Sequence, residues 1–191
     1  FYMQNVLEYM KEIFTRENLK YDEEYLKKVV DYCIVKYKNI TKANVDMITH
    51  VVGVAELVAS IRLDDISIYA ALLHGMVKCE DFNKAEFEKT FSKEILDIVL
   101  TIDRLSYLNL KTKEKLDNEI LRNMFMAIAK DIRTVIIKLC DRLYNMRNIK
   151  NVDNEEVKIN MAKECLSIYA PIAHRLGMSQ IKSELEDTSF R

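Results

Sequence analysis

Residues that break regular secondary structure are scarce in this chain of 191 residues, which contains three glycines and one proline. Average proteins contain about 7% glycine and about 5% proline. So few turn residues leave little room for a turn-rich all-β fold. Leu, Ile, Lys and Glu are abundant instead, and this composition favours helices. The sequence therefore predicts an all-α fold.

An excess of charge of one sign is also missing. The chain has 29 basic and 30 acidic side chains, which give a formal net charge of −1. Proteins that bind nucleic acid without regard to its sequence present a basic surface to the phosphates. The balance of charges therefore argues against direct binding of nucleic acid by this chain.

Long apolar runs and paired cysteines are lacking as well. No stretch approaches 18 consecutive apolar residues, so the sequence predicts no membrane-spanning helix and no membrane partner. The cysteines form no C-x-x-C pair and stand far apart, at Cys33, Cys79, Cys140 and Cys165. We expect them to be reduced thiols in a cytoplasmic protein.

Helical periodicity runs along the whole chain, and no Pro/Gly/Ser-rich linker divides it. This pattern predicts a single domain, a compact bundle of eight or nine helices. Asp64 and Asp65 are expected to cap a strongly apolar helix over residues 66–77. Gly177 is expected to end a later helix that Pro171 interrupts.

Three histidines are candidates for chemistry. His50 and His74 both lie in apolar helical segments. A single histidine in such a segment is more often a core residue with a hydrogen-bond partner than a metal ligand. His174 stands near the end of a predicted helix, where a hydrogen bond is its expected role.

A carboxylate, Asp141, stands beside the apolar stripe of another predicted helix, one turn before Asn145. A carboxylate in such a position costs free energy unless it is paired or bound to a metal. Two roles therefore remain open for it. One is metal binding, and the other is a salt bridge to Arg142, Arg147 or Arg175. If no metal is bound, we expect Asp141 to have an arginine or lysine partner, since a lone buried carboxylate is costly.

Three stretches of the chain together resemble a known family. They read LLH at residues 72–74, KLCDRLYNMR at 138–147 and IYAPIAHRLG at 168–177. These stretches are similar to the N-terminal HD-type hydrolase domain of RelA/SpoT homologues. Members of that family synthesise and hydrolyse (p)ppGpp, the alarmone of the stringent response. The resemblance extends from about His50 to Arg191.

The resemblance implies an α-helical domain that holds one divalent ion, usually Mn²⁺, between two histidines and two aspartates. Three of those metal-ligand positions are matched here, by His50, His74 and Asp141. Imidazole and carboxylate groups together suit a borderline divalent ion, which lowers the pKa of bound water and polarises a phosphoryl oxygen. The resemblance also implies contacts with (p)ppGpp or a guanine nucleotide at three positions, Lys42, Asn145 and Arg147.

Some positions around the implied metal depart from the family pattern. Gly75 stands where the family has the aspartate of its His-Asp pair, and glycine has no side chain to bind an ion. Lys78 and Cys79 stand where the family has a Glu-Asp pair implicated in the hydrolytic water. Glu80 and Asp81 follow two residues later, which is about 200° further around a helix, so we expect them to point elsewhere.

Other departures fall on nucleotide binding. The loop arginine expected to stack on the guanine is replaced by Thr41, and the Ser-Gly of that loop by Ala43 and Asn44. The histidine of the distal motif is replaced by Tyr144. Because the substitutions affect the metal, the water and the base while the scaffold stays recognisable, they predict a pseudo-hydrolase with no intact catalytic residue.

Two functions follow from this pattern. The first is a degenerate (p)ppGpp pyrophosphohydrolase-like domain that regulates an attached (p)ppGpp synthetase (GTP pyrophosphokinase) and binds nucleotide weakly. The alternative is a residual Mn²⁺-dependent (p)ppGpp 3′-pyrophosphohydrolase with two histidines and one carboxylate as ligands. A changed substrate and an unrelated helical scaffold are further options. We expect residues 1–191 to be one HD-type domain that ends at the junction with a synthetase domain of a longer chain.

Overall fold

The structure, a computed structural model, describes residues 5–42, 45–106 and 113–190. These residues are almost entirely helical, so the predicted all-α class is confirmed. Within the described ranges, no helix is both long enough and apolar enough to cross a membrane. The chain forms two compact units, Phe1–Asp103 and Arg104–Arg191.

The first unit consists of helices and one short antiparallel pair of strands. Its helices are α1 (Val6–Arg16), α2 (Glu23–Lys36), α3 (Met47–Ile61), α4 (Asp65–Leu73), α5 (Lys84–Thr90) and α6 (Lys93–Ser106), the last of which continues into the second unit. The strands are β1 (Thr41–Lys42) and β2 (Val45–Asp46), in which Thr41 pairs with Asp46 and Lys42 with Val45.

The core of the first unit lies around α3 and α4, which pack against each other, while α1 packs on α3 and α2 on α4. Residues 67–73 of α4 are all buried. The predicted apolar stripes of the two preceding helices are buried as well, at Val6, Met10, Ile13 and Phe14 in α1 and at Leu26, Val29, Val30 and Cys33 in α2.

The start of α4 confirms its predicted cap. The Asp64 carboxylate accepts a hydrogen bond from the Ser67 backbone N–H at 2.9 Å, and its φ of −161° is extended backbone. The end of the helix differs from the prediction, because α4 stops at Leu73 and a 3₁₀ segment, His74–Lys78, follows. The chain tightens there to i→i+3 hydrogen bonds, next to Gly75, a poor helix former.

One helix, α5, was not expected from the sequence. It has seven residues, of which Phe87 is buried. The Asn83 side chain caps it by accepting a hydrogen bond from the Glu86 N–H at 3.0 Å. An Asn followed three residues later by a Glu is a start signal for a helix, and a helix this short shows little periodicity beyond that signal.

The second unit is helical throughout its described part. Its helices are α7 (Lys113–Lys130), α8 (Ile132–Arg147), α9 (Glu155–Glu164), α10 (Ala170–Arg175) and α11 (Ser179–Ser189). A 3₁₀ turn, Ile149–Asn151, follows α8, and a π-helical segment, Cys165–Tyr169, joins α9 to α10. Pro171 lies at the start of α10, and the wider π turn before it accommodates a residue that lacks an N–H. Gly177, with φ of +73°, ends α10 as predicted.

The cysteines are all free thiols, as the sequence predicts. Cys33, Cys140 and Cys165 are buried, and Cys79 is half-buried. Burial raises the pKa of Cys140 to about 12 and that of Cys165 to about 11. These two thiols are therefore protonated at neutral pH and poor nucleophiles.

We expect Asp64→Ala to lower the free energy of unfolding by about 0.5–2 kcal/mol, because the variant leaves the Ser67 N–H without its side-chain acceptor. Asp64→Ser keeps an acceptor at the cap position and should retain most of the stability. Urea unfolding followed by circular dichroism measures both variants. Equal losses for the two variants would contradict the capping role of Asp64.

Candidate functional site

Two buried histidines face each other in the first unit. His50 lies in the first turns of α3 and is 1% exposed, and His74 directly follows α4 and is 8% exposed. Because α3 packs against α4, their ring centroids lie 6.0 Å apart. A ring nitrogen of His50 lies within 4.8 Å of one of His74. Sequence reasoning on each histidine alone favoured separate core roles, and the structure places the two together.

One ring nitrogen of His74 is positioned by the backbone of α4, the preceding helix. His74 Nδ1 lies 2.5 Å from the carbonyl oxygen of Ala71. A carbonyl oxygen can only accept, so Nδ1 carries the proton in the neutral ring and Nε2 carries the lone pair. A hydrogen bond of this kind from the far nitrogen is typical of histidines that bind metals.

The pair fits part of a metal site. Two imidazole nitrogens bound to one zinc ion at about 2.0–2.1 Å each lie at most about 4.2 Å apart, and the nitrogens of this pair lie within 4.8 Å of each other. Protein sites for zinc use three or four protein ligands. Position 75 adds none, because Gly75 follows His74 in the 3₁₀ segment as a buried residue without a side chain.

The positions expected to hold the water-activating acids carry other groups. Lys78 is exposed at the end of the 3₁₀ segment, and the Cys79 thiol is half-buried, 3.8 Å from the Gly75 carbonyl oxygen. Burial raises the pKa of Cys79, which keeps it protonated at neutral pH. It therefore cannot replace a carboxylate as a base.

The acidic residues that follow lie in a turn, not on a continued helix. The α-helix expected over 66–77 ends at Leu73, and the 3₁₀ segment after it ends at Lys78, so the helical rotation expected for Glu80 and Asp81 does not apply to them. Glu80 and Asp81 are both exposed. The Asp81 carboxylate accepts a hydrogen bond from Lys36 Nζ at 2.6 Å, and this bond lowers the pKa of Asp81. Asp81 is thus engaged at the surface with α2.

The expected nucleotide-binding loop is described in part. Lys42 lies on β1 and is half-buried, and Thr41 beside it is exposed. Ala43 and Asn44, two further positions of this loop that depart from the family pattern, lie outside the described residues.

Asp141 is buried on α8 of the second unit and is 2% exposed. Lys138, one turn earlier on the same helix and 6% exposed, places its Nζ 3.7 Å from the Asp141 carboxylate. The same Nζ donates a hydrogen bond to the Ser106 hydroxyl at 2.7 Å. An arginine or lysine partner was expected for Asp141, with three arginines as named candidates; the structure places Lys138 there, at the i, i+3 spacing.

The arginines considered as partners of Asp141 have contacts elsewhere in the second unit. Arg142 donates to the Glu164 carboxylate at 2.8 Å and its guanidinium lies 4.5 Å from the centre of the Tyr169 ring. Arg175 stacks on Phe125 at 4.9 Å. Arg142 therefore links α8 to the helical run that contains the π segment.

The two expected nucleotide contacts on α8 lie near its end. Arg147 is exposed and bonds through Nε and one Nη to the Glu184 carboxylate of α11. Arg147 also lines a cavity of about 730 Å³ between α8, α9 and α11. Lys150 and Asp187 line the same cavity. Asn145 is half-buried one turn after Asp141. His174, the third histidine, is exposed at the end of α10.

Comparison with known proteins places this arrangement in a family. Residues 19–179 match the family model described as "HD domain". The chain is 39% identical over 144 residues to the guanosine-3′,5′-bis(diphosphate) 3′-pyrophosphohydrolase of Haemophilus influenzae. The aligned residues cover 75% of the chain and 21% of that protein. The chain is also 38% identical over 143 residues to the bifunctional (p)ppGpp synthase/hydrolase SpoT of Escherichia coli. This alignment covers 75% of the chain and 20% of SpoT.

A third relative, the GTP pyrophosphokinase rsh of Brucella melitensis, is 34% identical over 171 residues, or 89% of the chain and 23% of that protein. The chain thus spans about a fifth of the length of the relatives it matches. The family match covers most of the sequence and includes His50, His74 and Asp141. The protein therefore belongs to the HD domain family and is homologous to the (p)ppGpp hydrolases and synthetases of the RelA/SpoT type.

Proposed function

We propose that this chain is a degenerate (p)ppGpp pyrophosphohydrolase-like domain that regulates a (p)ppGpp synthetase within the same longer protein. The observation that carries this proposal is Gly75. It directly follows the buried His74 and offers no carboxylate, at the position where the family resemblance requires a metal-binding aspartate. The scaffold of the domain is retained, and the residue that most directly defines an HD site is missing.

The charge of the remaining ligand set supports the loss of metal. The proposed ligands of a Mn²⁺ ion are two neutral imidazoles, His50 and His74, and one carboxylate, Asp141. The Lys138 ammonium lies 3.7 Å from that carboxylate in a buried environment, where charges interact strongly. Three ligands with this charge balance attract a dication much less than a set that contains two aspartates.

The groups around a hydrolytic water support the same proposal. A general base at neutral pH must be able to lose its proton in that range. The Cys79 thiol has a raised pKa, and Lys78 carries an ammonium instead of a carboxylate. The Asp81 carboxylate is bonded to Lys36.

Nucleotide binding is proposed to be weakened but retained in part. The residues that would contact (p)ppGpp or a guanine nucleotide are Lys42, Asn145 and Arg147. Arg147 is bonded to Glu184, so a phosphate group would have to compete with a carboxylate for the same guanidinium. This competition lowers the affinity for a phosphate without abolishing it.

The regulatory role rests on the relatives and on the length of the chain. One relative is named as a 3′-pyrophosphohydrolase, another as a GTP pyrophosphokinase and a third as a bifunctional (p)ppGpp synthase/hydrolase. The chain corresponds to about a fifth of each. A synthetase domain in the same polypeptide is therefore proposed as the partner. A helical domain can bias such a partner when its contacts differ between the active and inactive states.

A second candidate is a residual Mn²⁺-dependent (p)ppGpp 3′-pyrophosphohydrolase. It is favoured by the intact pair of His50 and His74, with the Nδ1 proton of His74 held by the Ala71 carbonyl group. Together with Asp141, this pair would form a site of two histidines and one carboxylate, in which water fills the other positions.

We expect the protein to release no measurable pyrophosphate from (p)ppGpp in the presence of Mn²⁺. Acid-base groups each contribute about 10²–10⁴-fold to such rates, and a metal ligand is missing as well. SpoT of Escherichia coli, assayed alongside, serves as the active control. Hydrolysis by the unmodified protein that His74→Ala abolishes would establish the second candidate and contradict the first.

We expect removal of residues 1–175 from the full-length protein to change its rate of (p)ppGpp synthesis or the response of that rate to added (p)ppGpp. The reason is that the removed helices can no longer bias the synthetase between its states. Val35→Ala, a change at an exposed position of α2, is the control and should leave both quantities unaltered. If the deletion also left both unaltered, the regulatory role would be wrong.

A further inference from the structure

The backbone at Gly75 does not require a glycine. Among the described glycines, Gly177 has a positive φ, and Gly75 does not. Position 75 therefore lies in a region of conformation that any L residue can adopt. The space around this buried position, and not its backbone conformation, restricts which residue fits there.

That space is filled by two side chains. A Cβ atom at position 75 would overlap the terminal methyl group of Met47. It would also lie 3.1 Å from the Tyr37 hydroxyl oxygen and 3.2 Å from Cε1 of the same ring. Carbon atoms in van der Waals contact are normally about 3.5–4.0 Å apart. The Met47 methyl group thus occupies the volume that the first atom of any side chain at position 75 would need.

The Met47 methyl group is the end of a flexible side chain, whereas the Tyr37 ring is held by a hydrogen bond of its own hydroxyl. Met47 is the first residue of α3 and is 7% exposed, and its backbone N–H donates to the Ile40 carbonyl oxygen at 2.8 Å. Tyr37 is 3% exposed, and its hydroxyl donates to the Leu72 carbonyl oxygen at 2.7 Å. Burial raises the pKa of Tyr37 well above its usual value, so the phenol remains a neutral donor. The ring is therefore held against the end of α4, two residues before His74.

We propose that Met47 and Tyr37 form a plug that closes the position next to His74 to an acidic ligand, and that the Met47 side chain must move aside or be replaced before residue 75 can contribute to binding a divalent cation. This inference rests on the proposed loss of the hydrolase metal site. A carboxylate introduced at position 75 would meet a methyl group and a neutral ring, and burying it there would be costly. Met47 and Gly75 are therefore complementary in size, since the Met47 methyl group fills the space that the missing side chain of Gly75 leaves.

The plug makes the loss of the metal ligand difficult to reverse by one substitution. Gly75→Asp places a branched, charged side chain where the Met47 methyl group already lies. Met47→Ala removes the three outer heavy atoms of that side chain and leaves the backbone of α3 in place. The two substitutions together should provide both the ligand and the space for it.

The stability test is a double-mutant cycle of the unmodified protein, Gly75→Asp, Met47→Ala and the double variant, each followed by urea unfolding. We expect Gly75→Asp to lower the unfolding midpoint clearly, and to lower it much less in the Met47→Ala background, because residues in contact are not additive. If Gly75→Asp does not fold, Gly75→Ala takes its place in the same cycle, because alanine adds only the overlapping Cβ atom.

The matched control replaces another buried methionine of the same unit. Met10 lies on α1 and is 0% exposed. Met10→Ala also creates a cavity, but it should not change the effect of a substitution at Gly75. Equal relief by Met10→Ala and Met47→Ala, or no relief by Met47→Ala, would overturn the plug.

The metal test measures Mn²⁺ binding to the same proteins by isothermal titration calorimetry. We expect the double variant to bind Mn²⁺ at least about 10-fold more tightly than the unmodified protein, and Gly75→Asp alone to show no such gain. Equal gains with and without Met47→Ala, or no gain in the double variant, would contradict the inference. Failure of the proposed function has a different signature, namely (p)ppGpp hydrolysis by the unmodified protein, and leaves the unfolding cycle interpretable.

Discussion

The packing of α3 against α4 determines what the first unit can do, because it fixes the two buried imidazoles of His50 and His74 with their centroids 6.0 Å apart. Seven consecutive buried residues of α4 anchor that helix in the core, and the Ala71 carbonyl oxygen orients the ring of His74. The same packing brings Met47, at the start of α3, against Gly75. In the proposed account, the helix pair keeps two metal-ligand positions and closes the position of a third.

Charge decides how this arrangement relates to a metal ion. Carboxylates contribute both coordination and neutralisation when a dication is buried. The first unit offers neutral nitrogens at this point, and Asp141 in the second unit has an ammonium group at 3.7 Å. We propose that ligands with this charge balance hold a dication weakly. The scaffold of an HD domain is retained because its core residues, which bury apolar surface, do not depend on the metal.

Much of the fold could be predicted from the sequence, because apolar spacing and caps are local signals. The stripe of α1 and the caps at Asp64 and Gly177 illustrate this. The site was accessible through the family resemblance, which singled out His50, His74, Gly75 and Asp141. Its surroundings were not, because contacts such as that between Lys138 and Asp141 or between Met47 and Gly75 depend on how helices turn and pack. The end of α4 at Leu73 was missed for the same reason, since a 3₁₀ turn has no strong sequence signal.

The central claim is that the domain keeps its HD scaffold without the metal of an active HD enzyme. Elemental analysis of the purified full-length protein after dialysis against metal-free buffer tests this claim most directly. We expect a Mn²⁺ content far below one ion per chain, because the ligand set lacks a carboxylate at Gly75. One tightly held Mn²⁺ per chain, lost on replacement of His50 or His74 by alanine, would contradict the account.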